Sequence, residues 1–246
     1  MYLCNMTLAA QIQTRIKKLP IGKSFGYKDL GIAKENYQTA AKAIERLQTK
    51  GIIKKMSKGV FYKPEQTVFG ELKPDYSEQL RPYLFENGKR IAYETGVSLY
   101  NRMGLTTQMA FRIKIASRSK RISINRGALR ADAVKSYVDV TEANYELLGF
   151  LDVIKDIKCI PDCKASQAVV IISGIIKEFD SKRINDLIKC ALSYPPRVRA
   201  LVGALIESLR IDADATKLRE SLNPLTSVKI GLKERDLETI KNWNIE

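Results

Sequence analysis

Four polar side chains stand at a spacing that would bring them together on one face of a helix. They are Gln38, Thr39, Lys42 and Arg46. Residues three and four positions apart are neighbours on a helical surface, so these side chains would project in one direction. An amide, a hydroxyl and two cations so arranged can meet base edges and phosphates when a helix lies in the major groove of DNA. The pattern therefore predicts a helix that contacts DNA.

The helix that would carry these side chains is predicted over residues 36–50. The apolar positions of its opposite face are Tyr37, Ala40, Ile44 and Leu47. Asn36 stands at the expected N-cap, where it would also contact DNA, and Gly51 stands at the expected stop. An apolar stripe with this spacing is typical of a helix packed on the core of a small domain.

Two predicted elements and a brief helix lead up to this segment. The first helix covers residues 7–18, with Thr7 placed to cap its start and Pro20 after its end. A strand at 24–26 and a short helix at 27–30 follow. The order of the helices is that of a helix-turn-helix.

A basic hairpin is predicted after the third helix. Strands at 52–56 and 60–63 enclose the turn Ser57-Lys58-Gly59, in which the glycine can adopt a positive φ. The cations that the hairpin would direct toward the DNA backbone or minor groove are Lys54, Lys55 and Lys58. Helices followed by such a hairpin have the order of a winged helix-turn-helix, so the sequence predicts a DNA-binding domain of this type over residues 1–70.

Positive charge is concentrated in the same part of the chain. The first 64 residues carry thirteen Lys or Arg and three acids, whereas residues 142–246 carry sixteen of each. A protein that is basic for solubility alone has no physical reason to segregate its charge in this way. The alternative is a non-catalytic protein-interaction module with a solvated basic surface. DNA binding is favoured because protein interfaces are depleted in lysine.

The remaining residues, 71–246, predict an α+β domain with a helical C-terminal region. Helices are expected at 76–86 and 94–103, and a small sheet within 89–141 would use strands at 111–116, 121–124 and 133–140. From residue 142 onward, apolar residues at helical spacing predict helices at 142–156, 164–179, 181–192, 196–210 and 214–222. The only tryptophan, Trp243, is expected to dock on that helical core.

A second basic segment lies between two of the predicted strands. Arg118, Lys120 and Arg121 alternate with serines in a run that resembles a phosphate-binding loop, which predicts a second nucleic-acid contact. The alternative is a charged, solvated sheet face that discourages edge-to-edge pairing.

Composition excludes several kinds of chemistry. The chain of 246 residues contains no histidine, which removes every catalytic or metal site that needs one. The four cysteines, Cys4, Cys159, Cys163 and Cys190, are sparse, and we expect reduced core thiols, no metal and no cofactor. No apolar run is long enough to span a bilayer and no export signal is recognisable, so a cytoplasmic protein without membrane contact is expected.

One enzymatic alternative has a matching spacing. Pro161-Asp162 followed by Asp180-Ser181-Lys182 has the order of metal-dependent nuclease residues, in which two carboxylates hold Mg²⁺. The carboxylates of such a site belong on strands that line a cleft, whereas this region predicts helices. Asp212 and Asp214 are better interpreted as a capping turn. We therefore expect no catalytic residues.

Several segments, in order along the chain, resemble the AbiEi-type antitoxins of bacterial type IV toxin-antitoxin systems. After the basic N-terminal region they are Phe69-Gly70-Glu71-Leu72, Gly96-Val97-Ser98-Leu99-Tyr100-Asn101, Gly104-Leu105-Thr106-Thr107-Gln108, Tyr194-Pro195-Pro196-Arg197-Val198-Arg199-Ala200-Leu201 and Leu222-Asn223-Pro224-Leu225. The resemblance implies a winged helix that binds inverted repeats in the protein's own promoter. It also implies a C-terminal domain that opposes a nucleotidyltransferase-like toxin without direct contact. The family's DNA-contacting helix falls on residues 36–50 and its hairpin on 54–63.

Overall fold

The computed structural model describes residues 6–68 and 70–246, so that Cys4 and Phe69 lie outside the described residues. The fold is mixed α+β with small sheets. Two compact units divide between Glu86 and Asn87. This division lies further along the chain than the boundary predicted at residue 70, because the helix after residue 70 packs with the first unit. Glu78 of that helix accepts hydrogen bonds from the backbone and the hydroxyl of Ser24 at 2.9 and 2.5 Å.

Within its described residues, the first unit combines three α-helices with short strands. In chain order its elements are α1 (Leu8–Lys18), β1 (Ser24–Gly26), a 3₁₀ turn (Lys34–Asn36), α2 (Tyr37–Thr49), β2 (Lys54–Ser57), β3 (Val60–Tyr62), β4 (Glu65–Thr67), β5 (Gly70–Leu72), α3 (Tyr76–Leu84) and β6 (Phe85–Glu86). Strands β1, β3 and β2 form an antiparallel sheet in that order. The predicted helices at 7–18 and 36–50, the strand at 24–26 and the hairpin are thereby confirmed to within a few residues.

One apolar core holds these elements together. Ile12 and Ile16 of α1 meet Ala40, Ile44 and Leu47 of α2, as the helical spacing predicts. Thr7 caps α1 by accepting a hydrogen bond from the backbone of Ala10 at 3.4 Å. Phe25 and Phe61 close the core from the sheet side, with ring centroids 6.2 Å apart.

Two local predictions in this unit are wrong, and a third is confirmed in position. Residues 27–30 form a turn and no helix, since only one helical i→i−4 backbone hydrogen bond, from Leu30 to Gly26, forms before Gly31 reverses the chain at φ +57°. Asn36 occupies the N-cap position of α2 as predicted, although its side chain makes no capping hydrogen bond. The hairpin turn has two residues, because Ser57 pairs with Val60.

The second unit places helices on a four-stranded sheet. The strands of the sheet are β8 (Ala92–Thr95), β9 (Ile113–Ser117), β10 (Ile124–Arg126) and β11 (Leu129–Lys135), and the short strand β7 (Lys89–Arg90) lies outside it. The helices are α4 (Val97–Arg102), α5 (Tyr145–Lys155), α6 (Ala165–Lys177), α7 (Ser181–Ala191), α8 (Pro196–Ser208), α9 (Thr216–Glu220) and a 3₁₀ turn (Ile240–Trp243). The strand order is β10-β11-β9-β8, in which only β11 and β9 run parallel.

The helical half of this unit agrees with the sequence better than the sheet does. All five helices predicted after residue 142 are present, and Trp243 is buried as predicted. The helix predicted at 94–103 is wrong in its first part, because that part pairs with β9 as the end of β8 and Gly96 (φ +79°) delays the helix. The strands predicted at 121–124 and 133–140 are displaced to β10 and β11.

Within residues 6–68 and 70–246, no helix is both long enough and apolar enough to cross a lipid bilayer.

Candidate nucleic-acid interface

The two faces of helix α2 divide cleanly by polarity. Ala40, Ile44 and Leu47 are buried, whereas the four predicted contact residues are exposed on the opposite face. Those residues are Gln38, Thr39, Lys42 and Arg46. The structure therefore brings these four side chains together, as their spacing predicts.

The polar groups on this outer face have no partner among the described residues. Neither Gln38 nor Thr39 makes a side-chain hydrogen bond, and neither Lys42 nor Arg46 makes an ion pair, within the part of the chain that the structure describes. Two other cations of the unit make internal contacts: Arg15 donates to the carbonyl of Leu30, and Lys63 donates to the carbonyl of Lys17 at 3.2 Å. The outer face of α2 thus retains its donors, acceptors and positive charge for a ligand.

Helix α2 is held rigidly at its N-terminal end. The rings of Tyr27 and Tyr37 lie 4.9 Å apart, and Tyr27 packs edge-on against Phe61 at 6.0 Å. The backbone of Ile32 donates back to Tyr27, which closes the turn that Gly31 permits. A helix fixed by its inner face and its first turn can present its outer face without reorganisation.

Asn36 lies at the end of the 3₁₀ turn that precedes α2. Its side chain is exposed and makes no capping hydrogen bond. The amide of Asn36 is therefore not used to cap the helix, and it lies exposed at the edge of the α2 surface. Its contact with DNA stays a prediction.

The hairpin does not present its three lysines as one cluster. Lys54 forms an ion pair with Glu71 at 2.6 Å, and this hydrogen bond raises the pKa of Lys54 above its usual value. Lys55 is exposed and follows Lys54 in strand β2, so the side chains of these two lysines point to opposite faces of the strand. Lys58 is exposed in the turn and has no ion pair within the described residues. The prediction that the three lysines form one cationic cluster is wrong for Lys54, because the carboxylate of Glu71 in β5 pairs with it.

The second basic segment lies in the other unit and lines a cavity. Arg118, Lys120 and Arg121 belong to the loop between β9 and β10, beside a cavity of about 370 Å³. The guanidinium of Arg118 donates to the carbonyl of Tyr137 at 2.6 Å and lies 3.6 Å from Asp139. Lys135 also lines the cavity, since the parallel pairing of β9 with β11 brings it beside this loop. The sequence did not indicate this residue as part of the site.

The residues of the nuclease-like spacing have structural partners. Asp180 caps α7 by accepting a hydrogen bond from the backbone of Arg183 at 2.7 Å, and Asp162 accepts one from the Gln108 amide at 2.8 Å. Asp214 accepts from the backbone of Thr216 at 2.9 Å, in agreement with a capping turn.

The cysteines within the described residues are not all core residues. Cys159 is exposed, whereas Cys163 and Cys190 are half-buried. Burial raises the pKa of the Cys190 thiol, which therefore stays protonated and poorly nucleophilic. The prediction of core thiols is wrong for Cys159, because the loop after α5 turns that residue to solvent.

Comparison with known proteins places the chain in a family and a fold. Residues 11–133, half of the chain, match the family described as "Family of unknown function (DUF6088)". A solved structure, described as the crystal structure of RV2827C protein from Mycobacterium tuberculosis, is similar with a TM-score of 0.51 at 14% sequence identity. The similarity covers 89% of this chain and 82% of the mycobacterial chain, and shows likeness of fold. No curated protein matches the chain.

Proposed function

We propose that this chain, which belongs to the family of unknown function DUF6088, is a sequence-specific DNA-binding repressor with an N-terminal winged helix-turn-helix. The observation that carries the proposal is the outer face of α2, where Gln38, Thr39, Lys42 and Arg46 are exposed and have no partner among the described residues. Side chains of these types can read base edges and grip phosphates.

The order of the elements supports the winged-helix part of the proposal. A helix, a strand, a tight turn, a second long helix and a two-stranded hairpin follow one another within residues 8–62. In such a domain the second long helix enters the major groove, and the hairpin reaches the neighbouring backbone. Lys58, at the tip of the hairpin, is the cation best placed for that contact.

Charge supports DNA as the partner. The first 64 residues carry ten more positive than negative side chains, and phosphate neutralisation supplies a large share of the affinity of a protein for duplex DNA. A contact of Arg118, Lys120 and Arg121 with the same DNA stays a prediction.

The role as an antitoxin rests on the resemblance to AbiEi-type antitoxins. On this proposal the operator consists of inverted repeats in the protein's own promoter, and the protein opposes a nucleotidyltransferase-like toxin from the neighbouring gene without binding it. Growth after induction of that neighbouring gene tests the role: co-expression of this chain should restore growth. Unrelieved arrest would contradict the antitoxin role and leave repression untouched.

Binding to the upstream region of the protein's own operon tests the proposal directly. We expect fluorescence anisotropy to show at least a hundredfold preference, on the order of 3 kcal/mol, for that duplex over a shuffled one. Lys42→Ala and Arg46→Ala should each weaken specific binding by about 1 to 3 kcal/mol if they contact bases. The control Lys217→Ala removes an exposed cation from α9 and should change nothing. Equal binding to both duplexes would refute sequence-specific repression.

A further inference from the structure

We propose that the cavity beside the β9–β10 loop binds a phosphate-bearing ligand of nucleotide size. The cavity is lined by Ser117, Arg118, Ser119, Lys120, Arg121, Ala133, Val134 and Lys135. It lies wholly within the second unit. The proposal therefore goes beyond the DNA-binding role of the first unit and does not rest on it.

The topology of the sheet creates the cavity. Strands β9 and β11 are parallel, with Ser117 paired to Lys135 at their carboxyl ends. Ligands of α/β sheets bind in the crevice outside the carboxyl ends of parallel strands, where the chain leaves the sheet. Here the chain leaves β9 through the basic loop, which bounds the cavity on one side while β11 bounds it on the other.

The lining has an excess of positive charge. Four of the eight lining residues are cations and none is an acid. Arg118 is partly neutralised by Asp139 and donates to the carbonyl of Tyr137. Arg121 and Lys135 have no ion pair or side-chain hydrogen bond within the described residues. Two unpaired cations at one cavity favour an anion, since each gains a charge-assisted hydrogen bond on binding.

The loop is held in place before any ligand arrives. Ser117 is 3% exposed, and its hydroxyl donates to the carbonyl of Ile91 at 2.7 Å. The same oxygen lies 3.4 Å from the hydroxyl of Ser119 and accepts from the backbone of Lys120 at 3.4 Å. The first turn of the loop is thus anchored to the sheet, which lowers the entropy lost when an anion binds.

The size and the apolar wall of the cavity favour an organic phosphate over a bare ion. A volume of about 370 Å³ lies within the usual range of small-molecule sites. Ala133 and Val134 supply an apolar wall against which a sugar or base can pack. The phosphate can come from a free mononucleotide or from the phosphorylated 5′ end of a nucleic-acid strand, because both present the same group.

Isothermal titration calorimetry of the full chain tests the site and distinguishes the two sources. The probes are adenosine 5′-monophosphate, adenosine, and a trinucleotide with and without a 5′ phosphate. We expect adenosine 5′-monophosphate and the 5′-phosphorylated trinucleotide to bind, and adenosine and the trinucleotide with a free 5′ hydroxyl not to bind. Preference for the monophosphate identifies a free nucleotide, and preference for the phosphorylated trinucleotide identifies a strand end.

Charge-removing variants locate the binding. Arg121→Gln and Lys135→Gln should each weaken binding of the preferred probe about tenfold, and Arg121→Lys should retain part of it. The matched control Lys182→Gln removes an exposed lysine of α7 that does not line the cavity and should bind normally. Unfolding curves followed by Trp243 fluorescence check that each variant is folded.

Three results would overturn the proposal. They are no binding of either 5′-phosphorylated probe, binding of the trinucleotide that lacks the 5′ phosphate as tight as that of the 5′-phosphorylated trinucleotide, and binding that Arg121→Gln and Lys135→Gln leave unchanged. The second result would indicate a surface that contacts the nucleic-acid backbone. Failure here is distinct from failure of the DNA-binding proposal, since Lys42→Ala and Arg46→Ala should weaken operator binding while leaving binding of adenosine 5′-monophosphate intact.

Discussion

Asp152 is the most deeply buried charged residue of the second unit, at 2% exposure. Its carboxylate accepts hydrogen bonds from the hydroxyl of Tyr93 at 2.9 Å and from the ammonium of Lys155 at 2.9 Å. Tyr194, whose hydroxyl lies 3.4 Å from the same carboxylate, also reaches the carbonyl of Leu148 at 3.1 Å. A buried carboxylate is tolerated only with such partners, so these residues fix the sheet to α5 and to the start of α8.

The buried tyrosines should make the protein sensitive to alkali. Burial, followed by the nearby carboxylates, raises the pKa of Tyr93, Tyr100 and Tyr194 above the usual value. Unfolding exposes them to ionisation, so their stabilising contribution is present below pH about 10 and is lost progressively as the pH rises above it. Above that pH, each tyrosine can lower the free energy of unfolding by up to about 1.4 kcal/mol per pH unit.

Urea unfolding followed by Trp243 fluorescence measures this effect on either side of that pH. We expect Tyr194→Phe to reduce the alkaline slope of the free energy of unfolding. Tyr76→Phe, which changes an exposed tyrosine, should leave the slope unchanged. A slope unaffected by Tyr194→Phe would show that this phenol does not control alkaline stability.

Helix α8 illustrates how one element depends on a single small residue. An added Cβ at Gly203 would lie 2.1 Å from the ring of Trp243. That ring is buried on the helix, and its indole N–H donates to Glu207 at 2.7 Å. Thr239 adds a hydrogen bond to the carbonyl of Ala204 at 2.6 Å. The C-terminal segment therefore docks on α8 because this position is a glycine.

Gly203→Ala should destabilise the protein by about 3 kcal/mol, since neither the helix backbone nor the buried ring can move cheaply. The same substitution at Gly174, in the middle of α6 with open space around it, is the control. Gly174→Ala should be neutral or stabilise by up to about 1 kcal/mol through helix propensity. Thermal unfolding and the emission maximum of Trp243 report both effects, and equal stability of the two variants would contradict the packing argument.

At the scale of the whole molecule, charge and topology separate two kinds of surface. Among the cations of the first unit that have no partner within the described residues, Lys42 and Arg46 lie on the outer face of α2 and Lys58 lies at the hairpin tip. The second unit places Arg121 and Lys135, which have no ion pair within the part of the chain that the structure describes, at a cavity beside parallel strands. An extended polyanion suits the first arrangement and a small anion suits the second.

Salt dependence distinguishes cations that contact phosphates from those that do not. Lys58→Ala should weaken operator binding to a similar extent for all sequences and lower the slope of log affinity against log salt by about 1. Lys217→Ala, in the charge-balanced helical region, should leave the slope unchanged. An unchanged slope in Lys58→Ala would remove the hairpin tip from the interface.

The type and order of most elements follow from local patterns. Helical spacing predicts α1, α2 and the five helices after residue 142, because burial of one helix face repeats along the chain. The short segments are predicted less well: residues 27–30 lack enough backbone hydrogen bonds for a helix, and residues 92–95 join a sheet that their own sequence does not indicate. Pairing with a distant strand decides such segments, and local propensity does not.

Local spacing along the chain is enough to place Gln38, Thr39, Lys42 and Arg46 on one exposed helical face, since the period of a helix relates neighbours along the chain. The pairing of Glu71 with Lys54 and the position of Lys135 beside the loop after β9 depend on how the strands assemble. Those contacts join residues that no local period relates. They form because folding brings separate strands together, and they are therefore visible only in three dimensions.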